Sequence, residues 1–207
     1  MQIKARTNKI CKILKTTYPN VKTRLNYKNP FELLVSTILS AQCTDKQVNS
    51  VTKDLFNKLA TPCDFAVARN ETIEKLIRST GFFRNKAKNI KNCSAILIEK
   101  YNGMVPETID ELVKLPGVGR KTANVVLGSA FGIPGIAVDT HVARISKRLG
   151  LTENNDPVKI EFDLMKLIPK KEWSNFSLWL IYFGRAVCKA RNPICPSCPL
   201  YKFCLHI

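Results

Sequence analysis

The chain has 207 residues, 45% of them hydrophobic, which is enough for one large or two small domains with their own cores. No stretch approaches the roughly 18 consecutive apolar residues of a membrane helix, and the N-terminus lacks a secretory-signal pattern, so we expect a cytoplasmic protein. The 33 basic and 16 acidic side chains give a formal charge of +17, which favours a polyanionic partner, nucleic acid first, although the lysine-rich bias of AT-rich genomes also adds charge.

Helical patterns follow one another along the chain, with Gly, Pro and Asn between them and no alternating strand beside a hairpin turn. The predicted fold class is therefore all-α. Helices are predicted to begin after the capping residues Asn29, Thr44, Asn70 and Thr108, and the helix after Asn70 is predicted to end at Gly81. Further helices are predicted over about 85–101, 120–131, 140–149, 157–168 and 173–187. Basic residues without nearby acids concentrate in 1–28 and 173–207, and Arg84, Lys86, Lys88 and Lys91 form a further basic cluster.

A glycine-containing turn lies between two of these helical patterns, at Leu115-Pro116-Gly117-Val118-Gly119. The glycines allow a sharp turn and a close approach to a ligand, and Val118 can fold back to pin the turn. The helix that follows presents unpaired N–H groups, which favour a phosphate. A tight connector is the plain alternative for Gly-x-Gly alone, but the whole string resembles the helix–hairpin–helix DNA-binding element, which grips the DNA backbone without reading sequence.

Lys121 follows the turn, in the first turn of the next helix, where the helix macrodipole disfavours a cation. A neutral amine is a nucleophile that forms Schiff bases, whereas the alternative role is phosphate binding by a charged lysine. Eighteen residues later, Asp139 stands at the predicted start of another helix. It is expected to be the N-cap of that helix, and its carboxylate would also stabilise positive charge developing on a sugar as a base departs.

Together these segments resemble the endonuclease III family of helix–hairpin–helix DNA glycosylases. The similarity covers nearly the whole chain, including Leu39–Asp45, the hairpin with Lys121, the Asp139-Thr140-His141 segment and four terminal cysteines. It implies a glycosylase and abasic-site lyase acting on damaged pyrimidines in double-stranded DNA, with Lys121 as nucleophile and Asp139 as catalytic carboxylate. It also implies two helical lobes, a six-helix lobe over 22–132 with the hairpin near 109–131, and a second lobe from 1–21 and 133–207, in a monomer.

The resemblance also assigns DNA contacts. Gln42 and the turn at Phe82 would fill the space left when a base swings out of the duplex. The family commonly has Leu at the position of Phe82 and Ala at that of Cys43, so the resemblance does not fix the insertion geometry at these two positions. The alternative for Phe82 is an ordinary core residue. The hairpin residues Gly117, Val118 and Gly119 would hold phosphates.

Four cysteines, Cys188, Cys195, Cys198 and Cys204, have the spacing C-x6-C-x2-C-x5-C. Crowded thiols in a cytosolic protein indicate zinc or an iron–sulfur centre, and spacing alone leans towards zinc. The family resemblance reverses this preference and implies one [4Fe–4S] cluster. The loop between the first two cysteines carries Lys189 and Arg191, which are predicted to contact DNA phosphates.

Two other functions stay open on the sequence. An adenine-mismatch glycosylase would share the fold and the cluster, but Lys121 argues against it, because those enzymes lack the lysine nucleophile. A zinc-stabilised DNA-binding module without activity would use Lys121 for phosphate binding and Asp139 only as a cap.

Overall fold

The computed structural model describes residues 3–206, and within that range the regular secondary structure is helical, without a strand. The all-α prediction is confirmed. The α-helices are α1 (Ile3–Thr17), α2 (Pro30–Leu39), α3 (Asp45–Lys58), α4 (Pro62–Val67), α5 (Asn70–Ile77), α6 (Phe83–Tyr101), α7 (Ile109–Leu112), α8 (Arg120–Ala130), α9 (Thr140–Arg148), α10 (Pro157–Leu167) and α11 (Trp173–Ala186). Short 3-10 helices span Arg78–Thr80, Lys170–Glu172 and Tyr201–Phe203.

Side-chain caps define where several helices begin. The Asn29 side chain accepts the Glu32 N–H at 2.9 Å, with Pro30 as the first residue of α2. Thr44 and Thr108 likewise accept N–H groups of the first turns of α3 and α7. The prediction that Asn70 caps α5 was wrong by one position: Arg69 precedes the helix without a side-chain cap, and Asn70 is its first residue.

Residues 24–133 pack as one compact unit. Its core is built from the apolar faces of α2 to α8, and Leu34 and Ile38 of α2 belong to the same buried cluster as Ile90 of α6 and Leu127 of α8. Almost every residue of α2 is buried, so this helix forms the centre of the unit. The α2 helix packs on α8, and α6 packs on α4 and α5.

The second unit combines the described residues up to Thr23 with those from Pro134 onward. Its core contains Trp179 and Phe183 of α11, packed with side chains of α1, α9 and α10. The Trp179 indole N–H donates to the carbonyl of Tyr18 at 3.1 Å and so fixes α11 to the end of the first helix. Residues 1, 2 and 207 of the predicted second lobe lie outside the described residues. None of the helices over residues 3–206 combines the length and hydrophobicity needed to span a membrane.

Candidate functional site

The hairpin between α7 and α8 has a left-handed glycine and a buried valine. Gly117 has φ +80°, which favours glycine, and a Cβ there would also crowd the side chain of Asn89 at 3.0 Å. The Val118 N–H donates to the Leu115 carbonyl at 3.1 Å, and the Val118 side chain is buried in the core of the unit. The hairpin therefore has one defined conformation, pinned from inside by Val118.

Lys121 is the second residue of α8 and is exposed. Gly119 precedes the helix in extended conformation and provides no side chain to cap it, and the first turn of α8 contains no acidic residue. The backbone N–H groups and the dipole at this helix end give a positive potential beside the amine. The segment thus places a lysine nitrogen next to a surface suited to a phosphate.

Asp139 is the N-cap of α9 and belongs to the second unit, whereas Lys121 belongs to the unit of residues 24–133. Its Oδ1 accepts the N–H groups of His141 and Val142, both at 2.8 Å. The cap does not use Oδ2, and the residue is half-buried. The carboxylate is therefore held in a fixed orientation with a second oxygen available for another role.

Gln42 and Phe82 lie on two exposed turns with unusual backbone geometry. Gln42 has φ +52° and Phe82 has φ +48°, in the left-handed region that residues other than glycine and asparagine rarely adopt. The Phe82 side chain is 64% exposed, which excludes the alternative that it is a core residue. A large apolar side chain held out on a strained turn is typical of an interaction site.

Lys86 belongs by sequence to the basic cluster with Arg84, Lys88 and Lys91, but the structure does not present it to solvent. It is only 5% exposed, because its side chain turns inward to backbone carbonyls of the same unit. Arg84 and Lys88, in contrast, are exposed, so the solvent-facing charge of this cluster is smaller than its number of basic residues.

The four terminal cysteines line one cavity, together with residues that include Arg148, Ile194 and Tyr201. All four thiols are outside disulfides. Burial raises the pKa of the Cys198 thiol, and negative charge on the other three sulfurs raises it further. Over residues 3–206, no group of three or more His, Cys, Asp or Glu side chains has the arrangement of a site for a metal ion. The four thiols nevertheless line the same small cavity, and clustered thiolates are the donors of an iron–sulfur centre.

Arg148, at the end of α9, anchors the first cysteine and the loop that follows it. Its guanidinium donates to Cys188 Sγ at 3.3 Å, to the Lys189 carbonyl at 2.9 Å and to the Ala190 carbonyl at 3.2 Å. Arg144, one turn earlier, donates to the Cys188 carbonyl at 2.8 Å. One helix therefore carries Asp139 at its start and orients the basic loop from its end.

Sequence reasoning missed both arginines. The signal available was their spacing: residues three and four apart on a helix share a face, and Arg144 and Arg148 do so on α9. Lys189 and Arg191 of the loop are exposed, as expected for side chains that bind phosphates.

Two of the remaining cysteines are core residues. Burial raises the pKa of Cys11 to about 12, with the negative charge of Glu172 adding to the effect. Burial alone raises the pKa of Cys93 to about 12. Because the thiolate is the reactive form, both are expected to be inert at neutral pH.

Residues 35–170, more than half of the chain, match the family model described as "HhH-GPD superfamily base excision DNA repair protein". The class is thus that of base excision DNA repair proteins built around a helix–hairpin–helix.

The chain is 54% identical to the endonuclease III of Synechocystis over 97% of this chain and 92% of that protein. It is 53% identical to the endonuclease III of Bacillus subtilis over 90% of this chain and 86% of that protein. A solved structure of a trapped covalent intermediate of endonuclease III with DNA, an estranged-adenine complex, has 52% identity and a TM-score of 0.95, covering 99% of this chain and 97% of that one. The chain therefore belongs to the endonuclease III family of DNA base excision repair enzymes.

Proposed function

We propose that the chain removes oxidised or otherwise damaged pyrimidines from double-stranded DNA and cleaves the strand 3′ to the abasic site by β-elimination. The observation that carries this proposal is the exposed Lys121 in the first turn of α8, directly after a hairpin suited to a phosphate. DNA binding by the hairpin does not require an amine at this position. Base removal by a covalent route does require one, because the nucleophile must lie beside the sugar of the nucleotide whose phosphates are held.

The Lys121 nitrogen bonds to the sugar C1′ while the C1′–base bond breaks and its electron pair leaves with the base. The amine then loses a proton, the C1′–O4′ bond opens, and an imine forms between nitrogen and C1′. The imine acidifies the proton on C2′, whose removal expels the 3′ phosphate. Water finally hydrolyses the imine and releases the lysine. Glycosylase and lyase activities thus use one amine.

Asp139 is proposed to act on the first step. Positive charge grows on the sugar as the base departs, and a fixed carboxylate lowers the energy of that transition state. The two hydrogen bonds to Oδ1 hold the group in place before the substrate arrives, so no reorganisation is needed. The same carboxylate is suited to accept the proton of the attacking amine.

The hairpin and the two exposed turns are proposed to bind the duplex and to open it at the damaged base. The hairpin Gly117, Val118 and Gly119 would hold the backbone through N–H groups, independently of sequence. Gln42 and Phe82 would enter the space left by the flipped base, Phe82 as an apolar wedge. Both side chains are exposed on turns, which supports this role.

Cys188, Cys195, Cys198 and Cys204 are proposed to hold one [4Fe–4S] cluster. Four thiols outside disulfides around one cavity fit the donor set of such a cluster. When bound, the cluster supplies structural cross-linking of the C-terminal segment, since base removal and elimination transfer no electrons overall. Lys189 and Arg191 would then meet DNA phosphates from a loop held by the cysteines and by Arg148. We also propose that the protein acts as a monomer in the cytoplasm, at the nucleoid.

Cys198→Ala is expected to lower iron content and visible absorbance and to reduce soluble yield, because metal-site energy is coupled to folding. Cys63→Ala, at an exposed cysteine outside the cavity, is the control and should leave all three unchanged. Absorbance at visible wavelengths and elemental analysis measure the outcome. A colourless, zinc-containing and fully active wild-type protein would show that the cluster assignment is wrong.

Product analysis on duplexes with a single oxidised pyrimidine tests the function as a whole. The expected products are the free base and a nicked strand that ends in an unsaturated sugar. Base release from an adenine mismatch without nicking would indicate the mismatch glycosylase, and binding without either product would indicate the DNA-binding module.

A further inference from the structure

Lys86 makes three hydrogen bonds to backbone carbonyls from inside the unit of residues 24–133. Its ammonium donates to the carbonyls of Leu39 and Thr80, both at 2.8 Å. Its backbone N–H donates to the carbonyl of Phe82 at 3.1 Å. One buried residue near the start of α6 therefore connects two segments that lie 41 positions apart, counted from Leu39 to Thr80.

The surroundings suit a buried cation because both carbonyls that accept from the Lys86 ammonium lie at helix ends. Leu39 is the last residue of α2, and Thr80 is the last residue of the 3-10 helix Arg78–Thr80. Terminal carbonyls lack partners within their helix and carry the negative end of the helix dipole. Burial lowers the pKa of the Lys86 ammonium, whereas the electrostatic interaction with the Cys43 thiol raises it. The two carbonyls offset part of the cost of removing the charge from water.

The bonded segments lead directly into the two exposed turns. Gln42 stands three residues after Leu39, and Phe82 stands two residues after Thr80. Among residues 3–206, the non-glycine residues with positive φ are Gln42, Phe82, Asn102 and Asn192. Asparagine tolerates this conformation, whereas Gln and Phe adopt it only where the surrounding structure holds them. Lys86 provides such support to both turns.

We propose that Lys86 is a positioning residue that holds Gln42 and Phe82 in the geometry required to enter the duplex. This inference rests on the proposed function. Lys86 acts through the backbone and not by touching DNA, since its ammonium is turned into the protein. Without it, the two turns lose their common anchor, and insertion, on which base flipping depends, becomes slower than the chemistry that follows.

Lys86→Met tests the proposal, because Met keeps an unbranched stem and removes the charge and its donors. Lys100→Met, on an exposed position near the end of α6, is the matched control for charge. Single-turnover base release from a duplex with an oxidised pyrimidine is expected to fall by about tenfold to 100-fold, the scale on which small misplacements act. Cleavage of a preformed abasic site should fall less, because no base has to leave the stack. The control should match wild type in both assays.

Two further measurements separate positioning from other roles. The slope of log Kd against log salt should stay at the wild-type value, whereas loss of a phosphate contact would change it by about 0.9. In a duplex with 2-aminopurine opposite a tetrahydrofuran abasic analogue, the fluorescence change on binding should be reduced for Lys86→Met. In a double-mutant cycle with Phe82→Ala, the effect of Lys86→Met on base release should shrink, because both changes disable one insertion step.

The outcomes are distinguishable. If wild type releases no base, the proposed function is wrong and this inference goes with it. If wild type is active and Lys86→Met equals it in base release and fluorescence change, the positioning role of Lys86 is overturned while the proposed function stands. The same conclusion follows if the effects of Lys86→Met and Phe82→Ala on base release are fully additive. Should Lys86→Met not be recovered folded, Lys86→Gln takes its place, since it keeps two N–H donors on a shorter side chain. It must then show slower base release and a smaller fluorescence change than wild type, and wild-type behaviour in both overturns the inference.

Discussion

Borohydride is expected to trap a covalent adduct between wild-type protein and damaged duplex, and to trap none with Lys121→Gln. The reductant converts the imine on the lysine nitrogen to a stable amine, so only a protein that forms this bond is cross-linked. Strand cleavage by the variant should fall by at least about 10³-fold, the scale on which loss of a nucleophile acts. Denaturing gel electrophoresis measures both the adduct and the nick.

Binding of the damaged duplex should survive this substitution. The hairpin conformation depends on the positive φ of Gly117 and on the buried Val118, and the substitution changes neither residue. Glutamine is also a good helix former, so α8 is expected to be unchanged. Lys114→Gln removes the same charge from an exposed position before the turn and is the matched control. If Lys121→Gln nicks and cross-links as the control does, the nucleophile is another residue.

Features set by neighbouring residues were predictable from the sequence. Asn29, Thr44 and Thr108 cap helices because the cap and the N–H that it accepts lie within three residues of each other. The sharp turn at Gly117 is of the same kind, because it too depends on residues that are neighbours in sequence. The incorrect assignment at Asn70 shows the limit: a residue type that favours caps does not by itself decide between two adjacent starts.

Features set by distant residues were not predictable. The Leu39 carbonyl that Lys86 binds is 47 positions away, and the Cys188 sulfur that Arg148 contacts is 40 positions away. A sequence shows the charge of these side chains but not the unpaired carbonyls or thiols that surround them. For this reason the sequence grouped Lys86 with its basic neighbours without indicating its burial, and Arg148 was overlooked. The chemistry of the candidate site could be predicted from the sequence, because it depends on residue types and on motifs such as the hairpin before Lys121.

Asp139→Asn is expected to slow base release by about 100-fold or more, the loss found when one electrostatic stabiliser of a transition state is removed. The substitution removes the negative charge but keeps an oxygen that accepts the N–H groups of His141 and Val142. Asparagine is as good an N-cap as aspartate, so the free energy of unfolding should change by less than about 1 kcal/mol. Single-turnover base release and thermal unfolding measure the two effects separately.

The chain offers a matched control at the next helix. Asp156 is the N-cap of α10 and accepts the Lys159 N–H at 2.9 Å, so Asp156→Asn makes the same chemical change at an equivalent cap. It should shift stability by a similar small amount and leave base release at the wild-type rate. Asp139→Ala, which loses both cap and charge, should be less stable by about 0.5–2 kcal/mol and as slow as Asp139→Asn. Base release by Asp139→Asn at the rate of Asp156→Asn would reduce Asp139 to a helix cap, because the charge would then have no part in the reaction.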